Sequence, residues 1–168
     1  TVSVTRGIGA ARRWIFDEFR RMSPKLQVAF DRHLLAPQGR ITREVELVNV
    51  VAILPGKTDR RVYITGHYDS VNPRGNAPNN PGAGAGARAG GDAQMRADMD
   101  HNADAPGAND DGSGTALTME LARVFATSGL TFDATLVFVT WAGEEQGLIG
   151  AMAHAQALAA ALLQRLAD

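Results

Sequence analysis

The chain has no cysteine among its 168 residues, which excludes a disulfide framework, a thiolate zinc finger and a cysteine nucleophile. Any metal site must then come from His, Asp and Glu. Charge of one dominant sign is also missing: 17 Lys and Arg stand against 18 Asp and Glu, for a net charge of -1. No basic excess exists to hold nucleic-acid phosphates or an anionic membrane surface. No apolar run approaches the ~20 residues needed to span a bilayer, and residues 1–22 carry Arg and Asp where a signal peptide would be apolar. The expected partners therefore include neither nucleic acid nor membrane, and composition leaves the compartment open.

What is present suits one globular domain. Apolar residues make up 45% and charged residues 21%, within the ordinary range, and the length supports one hydrophobic core. Ile8, Ala11, Ile15, Phe19 and Met22 recur three or four apart, which predicts an amphipathic helix over 4–22, stopped by Ser23-Pro24. Leu26, Val28 and Phe30 alternate, Pro37-Gln38-Gly39 turns, and 43–54 is β-rich, which predicts a hairpin. A short buried strand is expected at 61–65.

From 72 to 104 the composition shifts to Gly, Ala, Asn and Pro without apolar periodicity, as in a flexible insertion. A helix from Ser113 to Ser128-Gly129 follows, with Leu117, Leu121, Val124 and Phe125 as its apolar face. Residues 134–142 are almost wholly apolar, as in a strand buried on both faces, and a last helix is expected over 148–166. This order belongs to an α/β layer architecture.

Three polar motifs stand out against this frame. His67 and Asp69, two apart just past a strand, project to one side if the extended geometry persists. Asp69 is then placed to take the second ring N–H of a metal-binding imidazole, although an isolated His-x-Asp is more often an ordinary strand end. Asp110 and Asp111 lie in a Gly-rich turn before a helix. Capping accounts for Ser113, and Asp111 is a second candidate cap, but capping does not require a doubled acid, so Asp110 is a candidate metal ligand. Glu144 and Glu145 begin where the most apolar strand ends. They would repel unless a cation lay beside them, and one could bind it while the other served as a base; a solvated helix start explains them equally well in isolation.

Taken together, Gly66-His67-Tyr68-Asp69-Ser70, Pro106-Gly107-Ala108-Asn109-Asp110-Asp111-Gly112-Ser113-Gly114 and Gly143-Glu144-Glu145-Gln146-Gly147-Leu148-Ile149-Gly150 resemble the di-zinc aminopeptidase family that includes bacterial leucyl aminopeptidases and glutamate carboxypeptidase. The strand at Asn49 to Gly56 is similar too, and the resemblance runs from about Glu44 to Gly150. It implies an α/β fold in which a mixed sheet is sandwiched between helices, as in zinc exopeptidases of the phosphorylase/hydrolase-like kind, here truncated. Residues 1–168 would form a single, incomplete peptidase domain.

The resemblance further implies two zinc ions: His67 binding one, Asp110 bridging both and Glu145 binding the second. Asp69 would orient His67, Glu144 would be the general base for the attacking water, and the Asp110–Asp111 peptide bond would be cis. The family takes a further Asp and a late His from sequence beyond residue 168, which leaves each zinc two ligands here where catalytic zinc keeps three. This stretch alone is therefore expected to be weak or inactive. His101, in the Gly-rich insertion, and His154, on the last helix, are poorly placed substitutes.

Peptides are the expected substrates, and the family's habit points to an extracellular or periplasmic setting. A non-catalytic peptidase-like binding scaffold and a metal-dependent hydrolase of another amide are the alternatives, the first disfavoured by retention of Glu144. Truncation is expected to leave strand 134–142 with an unpaired edge or an uncovered face, and so to promote self-association, unless the final Ala-rich segment caps the sheet.

Overall fold

The computed structural model describes residues 6–38, 41–71 and 107–167. The expected insertion at 72–104, with His101, lies outside the described residues.

Among the described residues, three α-helices and four strands follow in the order α1 (Gly7–Met22), β1 (Gln27–Leu35), β2 (Val45–Leu54), β3 (Arg61–His67), α2 (Ser113–Thr127), β4 (Thr135–Trp141) and α3 (Ile149–Ala167). The strands form one sheet of order β1-β2-β4-β3. β1 and β2 make the expected hairpin, with Asp31 opposite Asn49. β4 runs antiparallel to β2 and parallel to β3, so the sheet is mixed and lies between helices.

The run 135–141 is so apolar because β4 is central. Leu136 to Thr140 are all buried, and Phe138 and Val139 are 0% exposed. At about 25 cal/mol per Å² of apolar surface, a side chain such as Phe138 contributes roughly 1.5–3 kcal/mol by leaving water. The expectation of an unpaired edge or uncovered face at 134–142 is corrected: β4 is paired on both sides, and Leu136 to Thr140, which alternate between its two faces, are all buried. Among the described residues the sheet edges are β1 and β3.

Period-two alternation divides the sheet's side chains between two layers. Val50, Ala52, Leu136 and Phe138 pack with Ile15 and Phe19 of α1 and with Met119 and Ala122 of α2. Val51, Val137 and Val139, with Ile53 and Trp141, form the second layer, the face over which α3 begins. In α1, Ile15 and Phe19 are buried as expected, but Ile8 is 44% exposed.

The predicted apolar face of α2 is rotated. Thr115, Thr118, Met119, Ala122 and Ala126 are buried, whereas Leu117 is 60% and Val124 41% exposed. The cause is close approach. A Cβ on Gly66 would lie 2.6 Å from the backbone carbon of Gly114, so the start of the helix almost touches β3 and small side chains must face the sheet, while Leu121 and Phe125 pack on the flank. The last helix caps the sheet only with its first turns: Gly150 and Ala153 are buried, whereas 155–166 are exposed. No described helix is long and apolar enough to cross a membrane.

Candidate metal and catalytic site

The parallel pair β3 and β4 ends at His67 and Trp141, and the three motifs meet there, at strand carboxyl ends where α/β sheets place ligands. Tyr68 extends the ladder by donating its N–H to Trp141 O at 3.0 Å. Its hydroxyl, buried among core residues, donates to Val48 O, and burial raises the phenol well above its ordinary value.

His67 is 9% exposed and fixed from several sides. Its backbone N–H donates to Asp111 Oδ2 at 2.9 Å, and its carbonyl accepts from Thr115 Oγ1 at 2.7 Å. Its Nδ1 lies 3.0 Å from the Asp69 carbonyl oxygen. A carbonyl only accepts, so Nδ1 carries the proton and Nε2 is left as the free ring position. Nε2 lies 3.1 Å from Asp110 Oδ1 and 3.7 Å from Glu144 Oε2.

Asp69 thus orients His67, but through its backbone rather than its carboxylate, which corrects the sequence reading. The carboxylate stands 3.8 Å from Nδ1 and is engaged elsewhere, accepting from the backbone N–H groups of Glu144 and Glu145, each at 3.2 Å. Those two orphan donors open the turn after β4, and a buried carboxylate is the acceptor they require. Asp69 therefore positions the Glu pair. Gly143 starts the turn at φ 71°, a conformation that favours glycine.

Asp110 and Asp111 are joined by a cis peptide bond, as expected. Their roles divide. Asp111 turns inward, where Oδ1 accepts from Gly114 N and Oδ2 from His67 N, both at 2.9 Å, so it ties the start of α2 to the end of β3. Asp110 turns outward, its side chain 78% exposed. Ser113, the expected cap, instead donates its hydroxyl back to Asn109 O at 3.0 Å; Asp111 is the capping acceptor. Thr115 was not singled out from sequence, because a threonine one turn into a helix carries no pattern of its own.

Charge gathers at this point. Burial alone would lower the His67 pKa, but the Asp69 carbonyl and the carboxylates of Asp69, Glu144 and Asp111 outweigh it and raise the imidazole above its usual value. Glu145 is raised by burial and by its neighbours Asp110, Asp69 and Glu144, only partly offset by His67. Neutral His67 would aim a bare Nε2 lone pair at the two carboxylates, so a cation belongs between them. A proton meets that need, and so does zinc, for which an imidazole with its other N–H held by a carbonyl is a suitable ligand. The donor types therefore fit zinc. The count falls short: among the described residues, His67, Asp110, Glu144 and Glu145 do not bring three ligand atoms all within 4.8 Å of one another.

His154 does not join this group; it is hydrogen-bonded to Asp31. A cleft of about 300 Å³ reaches the back of His67 and Asp69, lined by Trp14, Ile15 and Met119 among others.

The sequence profile of peptidase family M28 matches residues 49–166. A probable zinc metalloprotease of Pyricularia oryzae is 42% identical over 158 residues, covering 90% of this chain and 26% of that protein. One from Leptosphaeria maculans is 39% identical over 155 residues, covering 89% of this chain and 30% of that protein. The chain thus spans about a quarter to a third of the length of the curated relatives it matches. Among solved structures, the Legionella pneumophila LapA aminopeptidase superposes with a TM-score of 0.55 at 23% identity, over 92% of this chain and 33% of that one. A glutaminyl cyclase of Macrostomum lignano gives 0.51 at 16% identity, over 79% of this chain and 30% of that one. At these identities the two structures speak to the fold alone.

Proposed function

The chain belongs to peptidase family M28, and from that premise we propose that it carries His67, Asp110, Glu144 and Glu145 as part of the site of a zinc-dependent exopeptidase of aminopeptidase type. Zinc, when bound, supplies positive charge that polarises a scissile carbonyl and makes water more acidic. His67 offers Nε2, its tautomer set by the Asp69 carbonyl. Asp110 faces that nitrogen from the exposed side of the loop and would be the ligand shared between two ions. Glu145, in a pocket of negative charge that opposes its ionisation, is the ligand a cation would relieve.

Glu144 is the general base. Its Oε2 is 3.7 Å from His67 Nε2, beside the ring nitrogen that would hold the metal, where it would take a proton from a water attacking the substrate carbonyl and return it to the leaving amine. Asp69 is a positioning residue, since it holds the backbone of both glutamates. Peptides with a free amino terminus are the proposed substrates, and the zinc metalloprotease names of the fungal relatives support the metal and the reaction class.

The observation that carries this reading is His67 Nε2, bare when the ring is neutral and faced by two carboxylates. Calorimetric titration of zinc into the metal-free chain tests it. Asp110→Asn should weaken one class of zinc sites, whereas Glu144→Gln should leave zinc binding nearly intact and lower hydrolysis of an aminoacyl anilide by about 10²–10⁴-fold. Zinc binding indifferent to Asp110, or hydrolysis by the parent chain that persists at the same rate in Glu144→Gln, would refute it.

A further inference from the structure

A second group of titratable side chains lies on the α3 side of the sheet and takes no part in the chemistry above. Asp31 and His33 are two apart on β1, so both project to that face. Asn49 is opposite Asp31 in the hairpin register, and α3 brings His154 down onto the same point. Asp31 Oδ2 receives Asn49 Nδ2 at 2.9 Å, His33 Nε2 at 2.9 Å and His154 Nδ1 at 3.0 Å. We propose that Asp31, His33 and His154 form a second site for a divalent transition ion of zinc type, which fastens the start of α3 to the hairpin.

Four observations carry this. The three ligand atoms lie within 4.8 Å of one another, and the two His–Asp spacings are close to the roughly 3.3 Å edge of a tetrahedron whose zinc–ligand bonds are about 2.0–2.1 Å. The donor set of two imidazoles and one carboxylate suits zinc, with water in the fourth position. Three N–H donors converge on one carboxylate oxygen that has two lone pairs. A metal relieves that crowding, because each imidazole then presents a lone pair and moves its proton to the other nitrogen.

Finally, the surroundings are already built. Asn49 is 0% exposed and pinned by donating to Gly150 O at 3.1 Å and accepting from Ala142 N at 3.0 Å. The other nitrogen of His154 lies 3.3 Å from Tyr63 Oη, so the relocated proton has an acceptor, and the rings of Tyr63 and Trp141 flank the imidazole. Outer partners of this kind orient metal ligands.

This inference does not rest on the peptidase reading, and substitutions separate the two. In the metal-free full chain carrying Asp110→Asn, zinc should still bind at Asp31, His33 and His154 and raise the thermal midpoint, and cobalt(II) in its place should show the intense visible absorption of a four-coordinate ion. On zinc addition the ring proton resonances of His33 and His154 should move together. Adding His33→Gln, on the edge strand, or the isosteric Asp31→Asn should weaken this binding by about 100-fold or more while circular dichroism shows the fold retained. Zinc binding unchanged by both substitutions, no zinc-dependent change in the two histidine signals, or no zinc bound by the Asp110→Asn chain would overturn the proposal.

Discussion

Replacing Asn49 should cost more stability than any other single polar substitution on the α3 face, because its side chain joins three parts of the chain. It accepts from Ala142 N just after β4, donates to Gly150 O at the start of α3, and donates to Asp31 Oδ2 on β1. Asn49→Ala leaves the Ala142 N–H without an acceptor, which costs about 1–3 kcal/mol, and removes a hydrogen bond to a charged group that contributes about 1.5–3 kcal/mol. The expected loss is roughly 3–5 kcal/mol. At about 2–4 °C per kcal/mol for a chain of this size, the midpoint should fall by roughly 10 °C.

Asn49→Asp sharpens the test. It puts an oxygen where Nδ2 stood, 2.9 Å from Asp31 Oδ2 and 3.1 Å from Gly150 O. A buried carboxylate then opposes the half-buried one of Asp31, so the introduced group has a folded pKa above its unfolded value, and its penalty grows with pH above about 4. Lowering the pH lets it protonate and donate to Asp31. The deficit of Asn49→Asp relative to the parent should therefore shrink between about pH 7 and pH 5, while that of Asn49→Ala stays constant. Calorimetric melting of the three metal-free proteins at both pH values decides the matter. A fall of under about 2 °C for Asn49→Ala, or an Asn49→Asp deficit that does not change with pH, would refute the reasoning.

Other perturbations follow from the same contacts. Asp111→Ala removes the acceptor of both His67 N and Gly114 N and should cost about 2–4 kcal/mol in urea unfolding; a loss within error would mean that the loop does not depend on that carboxylate. Asp31 has a depressed folded pKa, so its stabilisation is present above the unfolded value near 3.9 and is lost as pH falls through the folded value. Melting temperatures below about pH 5 should consequently fall less steeply for metal-free Asp31→Asn than for the parent, and parallel curves would contradict this. Gly66→Ala would set a Cβ 2.6 Å from Gly114 C and 2.7 Å from Thr115 N, both backbone atoms, and should cost about 1–3 kcal/mol by pushing α2 off β3. Zinc affinity at Asp110 should fall with it, as titration of the variant would show.

What the sequence reveals and what it hides differ in the range of the physics involved. Helix and strand positions come from periodicities within about ten residues, and so 61–67, 113–127 and 135–141 could be placed within a few residues of their observed ends. That His67, Asp110, Glu144 and Glu145 gather at one point was legible because each sits in a short polar motif at the end of an apolar element. Errors begin where a residue's role depends on a partner far along the chain. The Asp69 carboxylate looked like the partner of His67, two positions away, but the N–H groups of Glu144 and Glu145 need an acceptor and come from a turn some 75 positions later. The face of α2 was misjudged because Leu117 and Val124 outweigh Ala122 and Ala126 in any hydrophobic count, whereas the close approach of Gly66 to Gly114 selects small side chains. The Asp31 cluster is the extreme case, since His154 arrives from 123 positions away. Its one local trace is an acid and a histidine two apart on a strand, the same spacing that marked His67 and Asp69. In an α/β sheet that spacing guarantees only a shared face; whether the pair becomes a site depends on which helix covers it.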